Sequence, residues 1–250
     1  MPPNIIDPPI QADPEFAAAK PAISHAIPDN VVEENDNLKI FQSSLSLIAH
    51  ILIGVVTGIS ILFSLRNGLP IGATPLHIIL CVIGYQLLMA QAIIILSSES
   101  GWSSRLKLVH KRRIHWIVQI VGSVLAIVGS FIKILDKNIH WNTYHGQFAL
   151  VAMVFTAVSL VNGLTSLYAY ELRKFLPSNL SKLSHICFGI VAFAASSISL
   201  CYGFDKNFFI NWATLEFTYT IIAFTAAFTF IIIINPFITF YRKSRSIITS

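Results

Sequence analysis

The sequence predicts an all-α fold: a polytopic membrane protein of six transmembrane helices, with spans two to five forming a four-helix core. Two observations carry this expectation. Of 250 residues 54% are hydrophobic and 12% are charged, with a mean hydropathy of +0.69, whereas a soluble domain carries about 25% charged residues. The apolar residues also arrive in runs longer than about 18, each able to cross a hydrocarbon core of about 30 Å. Such a chain lacks the polar atoms to cover a water-facing surface, which excludes a soluble enzyme, a secreted disulfide scaffold and a collagen-like rod. A pI of 9.2 does not restore a nucleic-acid binder, because the basic residues lie in short segments beside apolar runs.

Residues 1–38 hold seven of the twelve acids and seven of the eleven prolines, one lysine and no glycine. That composition buries too little apolar area to offset its ordering entropy, so the segment reads as a disordered, acidic, proline-rich cytoplasmic tail. No charged segment leads into an early apolar run, so no cleavable signal is expected and the first span inserts itself. Six spans follow, at 41–65, 73–97, 114–135, 145–169, 183–204 and 211–240, within a transmembrane domain at 39–245; residues 246–250 form a short cytoplasmic tail. Short loops between successive spans favour antiparallel neighbours in a bundle.

With a cytoplasmic amino terminus, 13 of the 17 basic residues fall in inside segments and only Arg66, Lys133, Lys137 and Lys206 fall outside. The positive-inside rule therefore sets both termini in the cytosol. The acceptor sequence Asn179-Leu180-Ser181 then lies in an inside loop and is expected to stay unglycosylated.

Cys81, Cys187 and Cys201 all lie in spans, without CxxC or CxxCH spacing, which excludes covalent haem attachment and a disulfide framework. The histidines are more informative. Seven of the eight lie in or beside spans, and polar groups at membrane depth need partners. His77, His115, His145 and His185 fall at or near the starts of spans two, three, four and five. Alternate spans run in opposite directions, so His77 can meet His145 at the outer surface and His115 can meet His185 at the cytoplasmic surface. The separations, 68 and 70 residues, each equal two crossings and two loops. Two imidazoles projecting from facing helices into a bundle centre are the arrangement that clamps a porphyrin iron from both sides. The pattern therefore points to two non-covalent haem b groups per chain. A zinc site would want four clustered ligands, with Cys, Asp or Glu among them.

At these residues the chain resembles the cytochrome b561 family, and within it the domain-containing branch of transmembrane reductases. The matching segments are Ser44 to His50, Leu76-His77-Ile78 through Met89-Ala90-Gln91, Ser97-Ser98-Glu99-Ser100, Ile114-His115-Trp116-Ile117-Val118-Gln119, Tyr144-His145-Gly146-Gln147 and Leu183-Ser184-His185. Two departures stand out: Ile78 follows His77 where many relatives have proline, and the Ser-Leu-His-Ser pattern of the ascorbate-specialised members is absent at His145. The resemblance implies that His77 and His145 bind the iron of an outer haem, and His115 and His185 that of a cytosolic one. It implies cytosolic ascorbate as electron donor, and monodehydroascorbate radical or ferric iron as acceptor on the lumenal side. It further implies an oxidoreductase in an internal membrane such as the endoplasmic reticulum, surrounded by lipid and commonly a homodimer.

Lys107, His110, Lys111, Arg112 and Arg113 place four cations near His115, a patch able to attract an anionic reductant; Lys111 and Arg112 are the expected contacts. On the outer side His140, with Trp141 and Tyr144, precedes His145 and is the expected acceptor contact. His50 reads as a packing or hydrogen-bonded residue, Glu216 as an acid near the headgroups, and Gly54-Val55-Val56-Thr57-Gly58 as a close-packing motif. Two other classes use the same imidazoles: a His-lined transporter for protons or divalent metal, which would add paired acids along a pathway, and a haem-free structural membrane protein.

Overall fold

A computed structural model describes residues 29–97, 101–168 and 178–248. It comprises two units, Met1–Asn37 and Leu38–Ser250; the packing below belongs to the second. The described residues form helices and connecting turns only. α1 spans Asp29–Leu65, α2 Ala73–Cys81, α3 Ala90–Ile94, α4 Leu108–Leu135, α5 Tyr144–Leu167, α6 Ser178–Phe204, α7 Asn207–Ala213 and α8 Leu215–Ile248. α2 and α3 are joined by a π-helical stretch, Val82–Met89, and a short 3-10 turn, Gly101–Arg105, precedes α4. Six stretches are long and apolar enough to cross a membrane: Asp36–Leu65, Ala73–Ile94, Leu108–Leu135, Tyr144–Leu167, Leu180–Phe204 and Leu215–Arg245.

Three boundaries differ from the sequence reading. α1 reaches back into the stretch read as tail and starts at Asp29, immediately after Pro28, the last proline of that segment. α4 starts at Leu108, six residues before the apolar run, because its first turns are built from the basic segment. The sixth span starts at Leu215 and not at residue 211: Thr214 takes φ 72, which ends α7 and turns the chain before α8 begins. Residues 1–28, Ser98-Glu99-Ser100 and the segment with Arg173 and Lys174 lie outside the described residues.

Neighbouring spans are antiparallel, and specific contacts give their register. Lys133 near the end of α4 donates to Thr74 Oγ1 at the start of α2 (2.7 Å), while Lys111 at the start of α4 donates to Ser97 O beyond α3 (2.6 Å). Thr165 near the end of α5 meets Ser181 at the start of α6 (2.9 Å). Asn235 in the second half of α8 lies against Ser97, and Phe63 at the end of α1 packs on Phe209 of α7 (centroids 4.9 Å apart). Lys107, Arg112 and Arg242 thus lie on one face, the basic face, and Arg66, Lys133, Lys137 and Lys206 on the opposite face.

The π-helical stretch sits where span two crosses α4, and the two backbones meet closely there. A Cβ on Gly84 would lie 2.6 Å from Gly122 O and 2.7 Å from Ala126 N; one on Gly129 would lie 2.8 Å from Leu80 Cβ. Small residues at such crossings let helices in a membrane pack by van der Waals contact, since lipid tails are as apolar as leucine and no hydrophobic force drives them together. Buried Ile53 and Val56 of α1, Phe193 of α6 and Ile221 and Phe228 of α8 extend the core. Large apolar side chains on the outside remain bare, as at Leu62 (61% exposed), Val161 (63%) and Phe230 (64%), the surface expected to face lipid.

Candidate cofactor site

The close crossing of span two on α4 fixes two imidazoles at once. His77, in the first turns of α2, donates Nδ1–H to Gly129 O of α4 (2.9 Å), and His115 of α4 donates Nδ1–H to Ala92 O of α3 (2.6 Å). The packing of α5 on α6 does the same for the other two: His145 donates to Ser199 O (2.8 Å) and His185 to Ser159 O (3.0 Å). All four rings therefore share one tautomer, with Nδ1 bonded to a carbonyl of the neighbouring helix and Nε2 left free as a ligand. This is the outer support that ligating histidines ordinarily carry, and it fixes the orientation of each ring.

The pairing expected from chain direction is present. The His77 and His145 ring centroids are 6.1 Å apart and those of His115 and His185 6.2 Å, and both pairs are perpendicular at 89°. A ligating imidazole nitrogen sits roughly 2 Å from its metal and the ring centre about 1 Å beyond, so two rings holding one ion from opposite sides have centres about 6 Å apart. Both pairs meet that distance. Among the described residues no group of three or more His, Cys, Asp or Glu is arranged to hold a metal. Each level thus offers two facing imidazoles, a donor set that would suit an iron carried in a porphyrin.

Glycines on the facing helices make room for the rings. A Cβ on Gly203 would lie 3.3 Å from His145 Nδ1, and one on Gly163 3.1 Å from His185 Cε1. A serine stands beside one ring of each pair: Ser199 Oγ lies 3.2 Å from His145 Nδ1 and Ser159 Oγ 3.3 Å from His185 Nδ1. Cys81 Sγ adds a contact at 3.5 Å to His77 Nδ1. Along span two between the levels, buried Gln86 joins Ser196 (3.4 Å) and Ser197 (3.3 Å) of α6. Sequence reading passed over this bridge, although a glutamine in mid-span is a visible signal.

The remaining site expectations divide. Arg112 is exposed on the basic face. Lys111 is corrected: its side chain is only 5% exposed and its ammonium is engaged with Ser97 O, so it caps the end of span two instead of presenting a free charge. His140 is exposed but donates Nε2–H to Ile134 O (2.7 Å), closing the last turn of α4. His50 lines a cavity of about 90 Å³ with Gln91, Ala92, Ile114 and Val118, beside the carbonyl that receives His115. Glu216 is exposed in the first turn of α8, where a carboxylate complements the helix dipole. A Cβ on Gly54 or Gly58 meets nothing within 4 Å, so neither glycine makes a close helix contact among the described residues.

Fold and site together define an integral multi-pass membrane protein with imidazoles facing one another across a helical core. The chain belongs to the eukaryotic cytochrome b561 family, whose model matches residues 76–210, a segment that holds all four paired histidines. Membership implies haem b. The transmembrane reductases CYB561D2 of Mus musculus and Homo sapiens are each 29% identical to it over 137 residues, 53% of this chain and 61% of theirs, and that of Bos taurus is 28% identical over the same length. The chain therefore spans about six tenths of the length of these curated relatives.

Proposed function

We propose that the protein is a transmembrane oxidoreductase that carries electrons across a membrane through two haem b groups, one at each histidine pair. The observation that carries this reading is the match of the two pairs, at 6.1 and 6.2 Å with all four Nδ1 atoms engaged. Haem would supply one-electron redox chemistry, and His77 with His145 and His115 with His185 would hold it. The chain's own residues do the rest. His77 and His145 grip one iron and His115 and His185 the other, and the four carbonyl acceptors hold the imidazoles in orientation. The Gly84–Gly122 contact keeps α2 and α4 at the distance both levels require.

The basic face is cytosolic in this reading, with both termini on that side, and the membrane is internal, such as the endoplasmic reticulum. The donor is ascorbate, an anion at neutral pH, drawn by exposed Arg112 with Lys107 and Arg113. The acceptor on the opposite side is monodehydroascorbate radical or ferric iron. The names of the relatives as transmembrane reductases support a reductase. The rival transporter reading calls for paired acids along a pathway, whereas among the described residues the acid of the last span, Glu216, is exposed at a helix start. The test is reconstitution into sealed vesicles with a ferric chelate trapped inside. Ascorbate added outside is expected to reduce the haem and then the trapped iron, and haem that stays oxidised under ascorbate would overturn the donor assignment.

A further inference from the structure

Four cations lie on the face opposite the basic one, and two of them are engaged within the chain. Arg66 donates to Phe63 O (2.6 Å) and lies 3.9 Å over its ring. Lys133 donates to Thr74 Oγ1 and pairs with Asp136. Lys137 and Lys206 have no ion-pair partner among the described residues.

Their placement follows from the helices that hold the His77–His145 pair. Gly129, whose carbonyl receives His77, is followed at four residues by Lys133 on α4 and at eight by Lys137, two residues past its end. The chain still turns at the end of α4, with Lys137 N–H bonded to Ile134 O (3.3 Å). Ser199, whose carbonyl receives His145, is followed on α6 by Gly203 against the His145 ring and then by Lys206 at seven residues, the residue that precedes α7. At 1.5 Å rise per residue α4 and α6 run on for about 9 and 7.5 Å beyond the pair's carbonyl acceptors, and both lysines lie just past those helix ends, on the open side. Lys206 lies within electrostatic range of Lys137, and both lie within range of His145. Burial holds the half-buried Lys206 ammonium below the usual lysine range; repulsion from Lys137 adds to this, and Asp205 opposes it. Two ammonium groups brought together from separate loops repel one another, and an anion between them turns that repulsion into attraction.

We propose that Lys137 and Lys206 form an anion clamp over the His77–His145 pair, taking an anionic oxygen group. This rests on the reading of that pair as a haem site. That group has two sources of the same chemistry: a propionate of the haem held there, or the oxyanion of an electron acceptor docking above it.

The experiment uses the full-length, haem-loaded protein with Lys137→Gln, Lys206→Gln and the double variant. Lys206→Arg serves as the charge-keeping rescue and Arg242→Gln as a control on the basic face. Haem content and an optical redox titration are read beside reduction rates for ferricyanide, an anion, and hexaammineruthenium(III), a cation, across ionic strengths. With a free acceptor as the source, the double variant reduces ferricyanide at least about tenfold more slowly and with a flattened salt dependence. The cation's rate, the haem content and the titration then stay as in wild type. With a propionate as the source, the His77–His145 haem is lost or its titration shifts, and both probes are affected alike. Lys206→Arg restores either phenotype. Wild-type behaviour of the double variant in every readout overturns the clamp. Wild-type protein without haem overturns both the clamp and the haem reading, whereas wild type with two haems beside unchanged variants overturns the clamp alone.

Discussion

Gly84 and Gly122 meet backbone to backbone: a Cβ on Gly84 would stand 2.6 Å from the Gly122 carbonyl oxygen, and one on Gly122 would stand 2.9 Å from the Gly84 carbonyl oxygen. This contact lies between the two levels of the proposed site, and the His77–Gly129 and His115–Ala92 hydrogen bonds join the same two spans on either side of it.

Gly84→Val is therefore expected to part α4 from span two, costing about 1–3 kcal/mol by overpacking and reducing haem content at both levels. Gly54→Val, at a position where a Cβ meets nothing within 4 Å, is the control expected to keep both haems. Thermal melts and haem content of the purified variants check this; equal loss from the two variants would contradict it.

The glycines facing the imidazoles act one level at a time. Gly203→Val is expected to displace His145 and deplete the haem it shares with His77, whereas Gly163→Val depletes the one between His115 and His185. Optical redox titration resolves which component disappears. Loss of the same component from both variants would refute the assignment of each glycine to its own level.

Lys111 and Arg112, adjacent in sequence, are expected to fail differently. Lys111→Met removes the charged hydrogen bond to Ser97 O and lowers stability by about 1.5–3 kcal/mol, leaving the salt dependence of ascorbate reduction as in wild type. Arg112→Gln leaves the melting temperature unchanged and raises KM for ascorbate several-fold, with a shallower dependence on ionic strength. Melting curves and initial rates at two salt concentrations separate the two residues.

The spans and the histidine pairing were legible in sequence because both depend on one-dimensional quantities. A run of apolar residues either exceeds the hydrocarbon thickness or does not, and two residues separated by two crossings return to the same face. The break at Thr214 was not legible, since threonine carries no sign of a positive φ. Lys111 misled for a related reason: charge is read from composition, but whether an ammonium points outward or back onto the carbonyl of Ser97 depends on tertiary approach. The carbonyl acceptors at Gly129, Ala92, Ser199 and Ser159 were invisible in principle, because every residue type carries a carbonyl and only the register of neighbouring helices selects four of them.

The central claim is that four histidines act as two couples, each holding one haem. Haem stoichiometry by pyridine haemochrome, with redox titration of wild type and the four single His→Ala variants, tests it most directly. Two haems per chain in wild type and one in each variant are expected, with His77→Ala and His145→Ala sparing one component and His115→Ala and His185→Ala sparing the other. A wild type without haem, or removal of the same component by His77→Ala and His115→Ala, would contradict it.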